Sequence, residues 1–331
     1  MTTVGEPWMW AAFAAFVLLA IVVDLKAVDA SGPHKVTLRE ALGWSALWVA
    51  LAMVFNGLLW WYLRTTGDSA VADETALEFL TGYLIEKSLA VDNIFVFLML
   101  FTYFAVPAEF QRRALILGVV GAIALRAVMI LVGAWLIARF HWILYLFGAF
   151  LLVTGAKMWW AADRKPDLEA NPVLRWMRGH LRITDGHHGE AFTIQRDGVL
   201  WFTPLFLVLV LIAVTDLVFA VDSIPAIFAV TEDPFIVLTS NIFAILGLRA
   251  MYFLLADMAD RFHLLSYGLA LILVFIGTKM LIVDYFKIPV LASLGVVVAI
   301  LAGSMILSLL RPKPSAGALL ESGGPRPGEH P

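Results

Sequence analysis

Nine runs of roughly 20 mainly apolar residues divide this chain, and each is long enough to span a lipid bilayer as an α-helix. Hydrophobic residues make up 61% of the 331 residues and charged residues only 15%. A soluble domain contains about 25% charged residues. The sequence therefore predicts an all-α, polytopic membrane protein with nine transmembrane helices. The predicted helices lie near 8–23, 38–63, 78–104, 112–137, 141–160, 202–230, 236–256, 264–284 and 289–310.

The distribution of Lys and Arg predicts the orientation of these helices. Most of these residues outside the runs fall in alternate connections, whereas the remaining connections contain only Arg64, Arg139 and Lys287. Basic residues concentrate on the cytoplasmic side of membranes, so we expect the N-terminus outside and the C-terminus in the cytoplasm. No basic segment precedes the first run, and we therefore interpret it as an uncleaved helix rather than a signal peptide.

One transmembrane domain is predicted over 1–311, with a cytoplasmic loop at about 161–201. The tail at 312–331 is rich in Pro, Gly and Ser and is predicted to be disordered. His187 and His188 allow a metal-sensing loop, but we prefer a solvated loop beside the inner leaflet. The chain contains no cysteine, which excludes disulfides and dithiol chemistry. No catalytic set, permanent cofactor motif or nucleic-acid patch is recognisable, so we predict no enzyme.

Two of the apolar runs carry acidic residues in the same pattern. Each has an acid, an aspartate six residues later, and a small polar residue immediately after it. Ionisable side chains are costly in hydrocarbon, so each one is a functional hypothesis by default. The residues are Glu86, Asp92 and Asn93 in the third run, and Asp216, Asp222 and Ser223 in the sixth.

Shorter matches extend this internal repeat. We predict that helices 3–5, about 78–160, and helices 6–8, about 202–284, are two copies of one three-helix unit. Three crossings per copy make the consecutive copies inverted in the membrane, an arrangement of many transporters with polar sites near the midplane. The additional matches are Leu125-Arg126-Ala127 with Leu248-Arg249-Ala250, and Gly155-Ala156-Lys157-Met158 with Gly277-Thr278-Lys279-Met280.

Helical geometry limits how the acids of one motif can cooperate. Residues seven apart, such as Glu86 and Asn93, share a face, whereas Asp92 lies about 120° away from Glu86 on a regular helix. Either the helix is distorted, or the two acids mark successive stations along a path. Since the two motif helices are predicted to be antiparallel, we expect Glu86 to lie level with Asp222 and Asp92 with Asp216.

Pro225 provides a reason for distortion in the second motif. Proline has no backbone N–H, so the carbonyl group of Val221 loses its helical partner beside Asp222. Carboxylates, an amide, a hydroxyl and a freed carbonyl would form an oxygen-rich cage for a hard divalent cation. Four carboxylates without a cation repel one another, so some would be protonated. This predicts exchange of a cation for protons.

Arg126 and Arg249 lie in the middle of predicted helices 4 and 7. Arginine keeps its proton, so we expect each to pair with a carboxylate. Two interpretations remain open. The arginines could act as surrogate cations when no metal is bound, or they could form structural ion pairs.

The segments Glu86-Lys-Ser-Leu-Ala-Val-Asp-Asn93 and Asp216-Leu-Val-Phe-Ala-Val-Asp-Ser-Ile-Pro225 resemble the signature motifs of the TerC family of integral membrane proteins. The chain is most similar to the Alx branch, from the first predicted helix to the ninth. The resemblance implies manganese export across the bacterial inner membrane and a place in the lysine-exporter (LysE) superfamily. It also implies association with tellurite resistance and the response to alkaline pH. The site residues that it implies are Glu86, Asp92, Asn93, Asp216, Asp222 and Ser223.

The function predicted is therefore a secondary transporter that exports Mn²⁺, with protons as a possible exchange partner and the bilayer as its environment. Arg126, Arg249, Pro225 and Val221 are predicted to support the site. One alternative is an exporter of another small cationic solute, such as a cationic amino acid. Another is a membrane interaction protein of a tellurite, metal or alkaline stress complex, without transport activity.

Overall fold

The computed structural model describes residues 3–31, 37–140, 142–161, 168–256 and 264–310, apart from the side chains of 27–31, 92, 161 and 256. The predicted disordered tail at 312–331 lies outside the described residues. The described chain is predominantly helical, as predicted. Its helices are α1 (Pro7–Ser31), α2 (Leu38–Thr66), α3 (Ser69–Tyr103), α4 (Ala108–Arg139), α5 (Ile143–Ala161), α6 (Pro172–His180), α7 (Pro204–Phe228), α8 (Pro234–Leu246), α9 (Leu248–Ala256), α10 (Leu265–Leu281) and α11 (Val290–Leu310).

Every predicted apolar run contains a helix, but not every helix has the length and composition of a simple membrane span. Among the described residues, α1, α2, α4, α5, α7 and α11 do. The run at 236–256 was predicted as one helix, and it is instead divided into α8 and α9, which are bent by 41° at Gly247. The apolar helix α10 has 17 residues, and α3 carries the acidic motif. Nine crossings therefore stay a prediction.

The helix α8 is the centre of the fold, because all of its residues are buried. It packs against α3 and α4, and α7 packs against the same two helices. In contrast, α1, α2 and α11 lie at the periphery and direct large apolar side chains outward, including Leu18, Leu58 and Leu291. Outward apolar faces around a buried helix are what a lipid environment requires.

The helices α5 and α10, the third members of the two predicted repeats, approach each other closely. A Cβ atom added to Gly277 would lie 2.8 Å from the backbone oxygen of Gly148, and one added to Gly155 would lie 2.9 Å from that of Ala270. In the predicted repeat, Gly155 corresponds to Gly277 and Gly148 to Ala270. The contact is therefore reciprocal, as an approximate two-fold relation between the copies requires, although the inverted repeat itself stays a prediction.

The predicted loop at about 161–201 has regular structure in its described part, so a plain solvated loop was too simple an interpretation. Asn171 caps α6 by accepting from the backbone N–H groups of Val173 and Leu174. The strands β1 (Thr193–Arg196) and β2 (Val199–Phe202) form an antiparallel hairpin. Asp197 and Gly198 both have positive φ. A two-residue hairpin turn with this conformation favours Asn-Gly or Asp-Gly.

Candidate functional site

The buried guanidinium group of Arg126 lies at the centre of the site. Arg126 is 1% exposed and extends from the middle of α4, an unbroken helix from Ala108 to Arg139. It forms ion pairs with Glu86 of α3 and Asp216 of α7, both of which are also buried. The predicted pairing of Arg126 with a carboxylate is therefore confirmed, and two acids share this arginine.

Oxygen atoms from three helices surround this guanidinium. Its Nη1 donates to Glu86 Oε1, to Ser223 Oγ at 3.0 Å and to Asn241 Oδ1 at 3.4 Å. Its Nη2 donates to Asp216 Oδ1 at 3.1 Å, and its Nε lies 3.5 Å from Asp216 Oδ2. Asn241 also donates to Glu86 Oε2 at 3.2 Å. We call these five residues the central cluster.

The central cluster follows from helical spacing in the second motif. Asp216 and Ser223 are seven residues apart, so they project from the same face of α7, and both contact Arg126. A Cβ atom on Gly82 would lie 3.3 Å from Ile227. Glu86 and Ser223 meet at the same nitrogen atom of Arg126, and the expected level of Glu86 with Asp222 stays a prediction.

Asn93 is buried but has no hydrogen-bond partner for its amide oxygen or nitrogen within the described part of the chain. Its position in the first motif corresponds to Ser223 in the second, yet only Ser223 bonds to Arg126. A buried amide without partners carries a free-energy penalty of about 1–3 kcal/mol. Asn93 therefore offers a carbonyl oxygen that the folded chain does not use.

The second acid of the α7 motif is directed away from Arg126. Asp222 is partly exposed and accepts from Thr154 Oγ1 of α5 at 3.3 Å. The corresponding acid, Asp92, lies in α3, but its side chain is outside the described residues. Among the side chains that the structure describes, no three acidic or histidine residues are grouped so that they could hold a metal ion. The cage of four carboxylates is therefore not assembled by the described residues, because a spacing of six turns Asp222 about 120° from Asp216.

Pro225 does not end its helix, and the predicted distortion there stays a prediction. The helix α7 continues through Pro225 to Phe228, so proline near the end of the helix does not unwind it. The side chain of Val221 is 41% exposed and does not face the central cluster. The supporting roles of the Val221 backbone carbonyl group and of Pro225 therefore stay predictions. Asp216 and Asp222 have different partners in the structure, and the choice between a distorted helix and successive sites along a path stays a prediction.

The helix break lies instead between α8 and α9, in the predicted repeat partner of α4. A Cβ atom on Gly247 would lie 2.5 Å from Lys87 Nζ and 3.2 Å from the Cβ of Trp48, so a larger residue here would displace its neighbours. Lys87 donates to the backbone carbonyl of Ala244 at 3.2 Å. A cation at the C-terminal end of a helix is stabilised by the helix dipole. Lys87 thus stabilises the C-terminal end of α8 at the break.

Arg249, two residues beyond this break, does not belong to the central cluster. It is 5% exposed and pairs with Asp24 of α1. Its predicted pairing with a carboxylate is confirmed, but the partner lies outside the four motif acids. Sequence reasoning missed Asp24, although a lone acid directly after the first apolar run was a usable signal.

An acidic cavity of about 390 Å³ lies beside the beginning of α3 and the connection between α7 and α8. Its carboxylates come from different segments, with Glu74 and Glu78 from α3 and Glu232 from the connection. With the predicted orientation, this cavity opens on the external side of the membrane.

The central cluster can hold one buried cation through oxygen atoms. Two carboxylates, one hydroxyl group and one amide oxygen are ligands that suit a hard metal ion. The group that they hold here is a guanidinium of the same chain. This arrangement fits a protein that binds a cation in competition with its own arginine.

Comparison with known proteins places the chain in a family. A model of the "Integral membrane protein TerC family" matches residues 71–316. The chain is 58% identical over 308 residues to proteins named "Putative membrane-bound redox modulator Alx" from Shigella flexneri and Escherichia coli (strain K12), covering 93% of this chain and 96% of each relative. It is 47% identical over 312 residues to an uncharacterized membrane protein of Myxococcus xanthus, covering 93% and 94%.

No solved structure is significantly similar to this chain. The family match covers both acidic motifs and both arginines, and the relatives are matched over nearly their full length. The chain therefore belongs to the TerC family of integral membrane proteins, with strong similarity to its Alx members.

Proposed function

We propose that this protein is a secondary transporter of the bacterial inner membrane that exports Mn²⁺ from the cytoplasm. The observation that supports this proposal is the buried guanidinium of Arg126, held by oxygen atoms of Glu86, Asp216, Ser223 and Asn241. A site that gathers acids and neutral oxygens around a positive charge inside a membrane protein is typical of a cation pathway.

Charge balance favours a divalent cargo. With both carboxylates ionised, Glu86 and Asp216 carry a charge of −2, and Arg126 neutralises only half of it. A divalent cation in the place of the guanidinium would neutralise the pair. The ligand types suit Mg²⁺, Ca²⁺ and Mn²⁺ alike. The choice of Mn²⁺ therefore rests on the resemblance to the TerC family.

Arg126 then acts as a built-in counter-cation. When the cargo binds, the guanidinium withdraws from Glu86 and Asp216, and when the cargo leaves, it returns. Without it, two buried carboxylates would face each other unpaired, at a cost of several kcal/mol. A cluster holding Arg126 and one proton has the same net charge as a cluster holding one divalent cation. Exchange of Mn²⁺ for protons follows from this balance.

The other motif residues define stations on either side of the central cluster. Asn93 contributes an amide oxygen without a partner in the described chain, and Asp222 contributes a partly exposed carboxylate. Asp92 is the counterpart of Asp222 in the predicted repeat. The acidic cavity beside Glu74 and Glu78 is the predicted exit to the outside.

Other functions have less support. Export of a cationic amino acid needs a group for the substrate carboxylate, and Arg126 already donates to two carboxylates of the chain. The name of the Alx relatives suggests a redox role. This chain has no cysteine, so a thiol could not carry out such a role here. A stress-complex protein without transport differs from the proposal in one measurable property, which is flux through the purified protein.

The test is Mn²⁺ flux into proteoliposomes, with and without a pH gradient, and with Mg²⁺ and Ca²⁺ as competitors. We expect saturable Mn²⁺ flux that a proton gradient accelerates. Asp197→Asn in the hairpin turn is the control, since it makes the same acid-to-amide change away from the helices. Absence of flux from protein that still gives cells Mn²⁺ tolerance would favour the stress-complex function. Flux that ignores the pH gradient would exclude proton exchange.

A further inference from the structure

The two arginines of the predicted repeat have different partners. Arg126 contacts Glu86 and Asp216, whereas the guanidinium of Arg249 donates to Asp24 of α1 and lies 5.8 Å from the centroid of the Trp44 ring in α2. Neither α1 nor α2 belongs to the predicted repeats. A helix outside the repeats therefore supplies the counter-charge for the second arginine.

This difference is not required by the local sequence. Both arginines stand between leucine and alanine, in Leu125-Arg126-Ala127 and Leu248-Arg249-Ala250. The two helices differ in shape, since α4 is unbroken and its counterpart is bent by 41° between α8 and α9. An acid inside an otherwise apolar span such as α1 is costly unless it has a function.

We infer that Asp24 is a positioning residue that holds Arg249 away from the central cluster in the present state. Two copies of one structural unit can each adopt the shape of the other. In the opposite-facing state, Arg249 leaves Asp24 and neutralises Glu86 and Asp216 in the place of Arg126. The two arginines thereby alternate as the counter-cation, so that neither access state leaves the two acids unpaired when no cargo is bound. This inference rests on the proposed function, because the alternation matters only if the protein changes between two access states.

The required movement is within the range of known helix shifts. The helix α8, which precedes α9 across the bend, already reaches the central cluster, because its Asn241 bonds to Glu86 and Arg126. Arg249 is eight residues further along, or about 12 Å on a continuous helix. A one-turn shift of a helix moves it by about 5.4 Å, and the long arginine side chain covers much of the remainder. The bend at Gly247 is the place where the backbone can absorb this change.

The test is a suppression experiment on purified protein in detergent, read as the thermal unfolding midpoint without added metal. Arg126→Gln removes the counter-charge of Glu86 and Asp216 and is expected to lower the midpoint. Asp24→Asn in the same chain frees Arg249 to enter the central cluster. We expect the double variant to recover at least half of the loss caused by Arg126→Gln alone.

Two controls define the outcome. Adding Arg249→Gln to the double variant should abolish the recovery, and Asp197→Asn in place of Asp24→Asn should give none. If Asp24 has only a structural role, Asp24→Asn will add its own loss to that of Arg126→Gln, and the inference is overturned. Where Arg126→Gln does not fold, the yield of folded protein becomes the measurement, and a double variant that also fails to fold overturns the inference equally.

This readout is independent of the transported ion. Failure of Mn²⁺ flux in proteoliposomes would overturn the proposed function and leave the suppression result standing. Conversely, Mn²⁺ flux with additive losses of stability would keep the proposed function and remove the alternation of the two arginines. The absence of cysteine in the chain also allows single introduced cysteines to report the position of α9 directly.

Discussion

The acidic motifs of α3 and α7 have the same spacing, but their side chains meet different partners. The first acids, Glu86 and Asp216, converge on Arg126. Seven residues later, Ser223 bonds to the same guanidinium, whereas Asn93 has no partner in the described chain. Asp222 faces Thr154 of α5. The spacing of residues in a motif therefore predicts which face of the helix each residue occupies. It does not predict which neighbouring helix that face contacts.

On the proposed function, the difference separates residues that hold the cation from residues along its path. In α7, Asp216 and Ser223 are seven apart and both join the central cluster, whereas a spacing of six turns Asp222 away from it, because successive side chains turn by about 100° on a helix. We therefore expect substitutions of Glu86 and Asp216 to affect transport most, and substitutions farther from Arg126 to affect it less.

Glu86→Gln and Asp216→Asn are expected to have the largest effect on transport. Each removes one of the two charges that match a divalent cation. We expect Mn²⁺ flux in proteoliposomes to fall beyond the about 10–100-fold that outer-shell changes cause at metal sites. The free energy of unfolding should change by less than the activation free energy of transport, since Arg126 keeps one ionised partner. Wild-type flux in either variant would break the distinction between central acids and path acids.

Asp222→Asn is expected to reduce flux by roughly tenfold, or about 1.4 kcal/mol, with an unfolding free energy within about 1 kcal/mol of wild type. Asp222 is partly exposed and makes one hydrogen bond of 3.3 Å with Thr154. Flux and denaturation of the same preparation measure both quantities. A complete loss equal to that of Asp216→Asn would place Asp222 at the cation itself.

Ser223→Ala is expected to lower the free energy of unfolding by about 1–2 kcal/mol, because a hydrogen bond to a buried charge is lost. The donor–acceptor distance from Arg126 Nη1 to Ser223 Oγ is 3.0 Å. Denaturation in detergent measures the change, with Ser223→Thr as the variant that keeps the hydroxyl group. Equal stability of Ser223→Ala and Ser223→Thr would contradict the contact.

Asn93→Leu is expected to have the smallest effect on stability, either none or a gain of about 1 kcal/mol, because it removes a buried polar group without partners. Mn²⁺ flux should nevertheless fall, since the amide oxygen is proposed to contact the cargo. The two measurements on one variant sharpen the contrast with Ser223. A variant that is destabilised as strongly as Ser223→Ala would show that Asn93 has a structural partner.

The sequence alone determined the class of the protein and the identity of most site residues. Apolar runs that are long enough to span a bilayer are expected to form helices. Backbone polar groups have no water to bond with in hydrocarbon, and a helix satisfies them within the segment. The rarity of charge in such runs made Glu86, Asp216 and Arg126 conspicuous. The angle between successive side chains of a helix also separates residues seven apart from residues six apart, and it follows from sequence positions alone.

Only the tertiary structure decided the partners. The choice of Arg126 over Arg249 for the central acids depends on a break at Gly247, where Lys87 and Trp48 of other helices pack against the backbone. The same holds for Asp24, whose partner is more than two hundred residues away in the chain. Helical periodicity is a local property that a sequence displays, whereas the neighbour of each face is set by how the helices pack together.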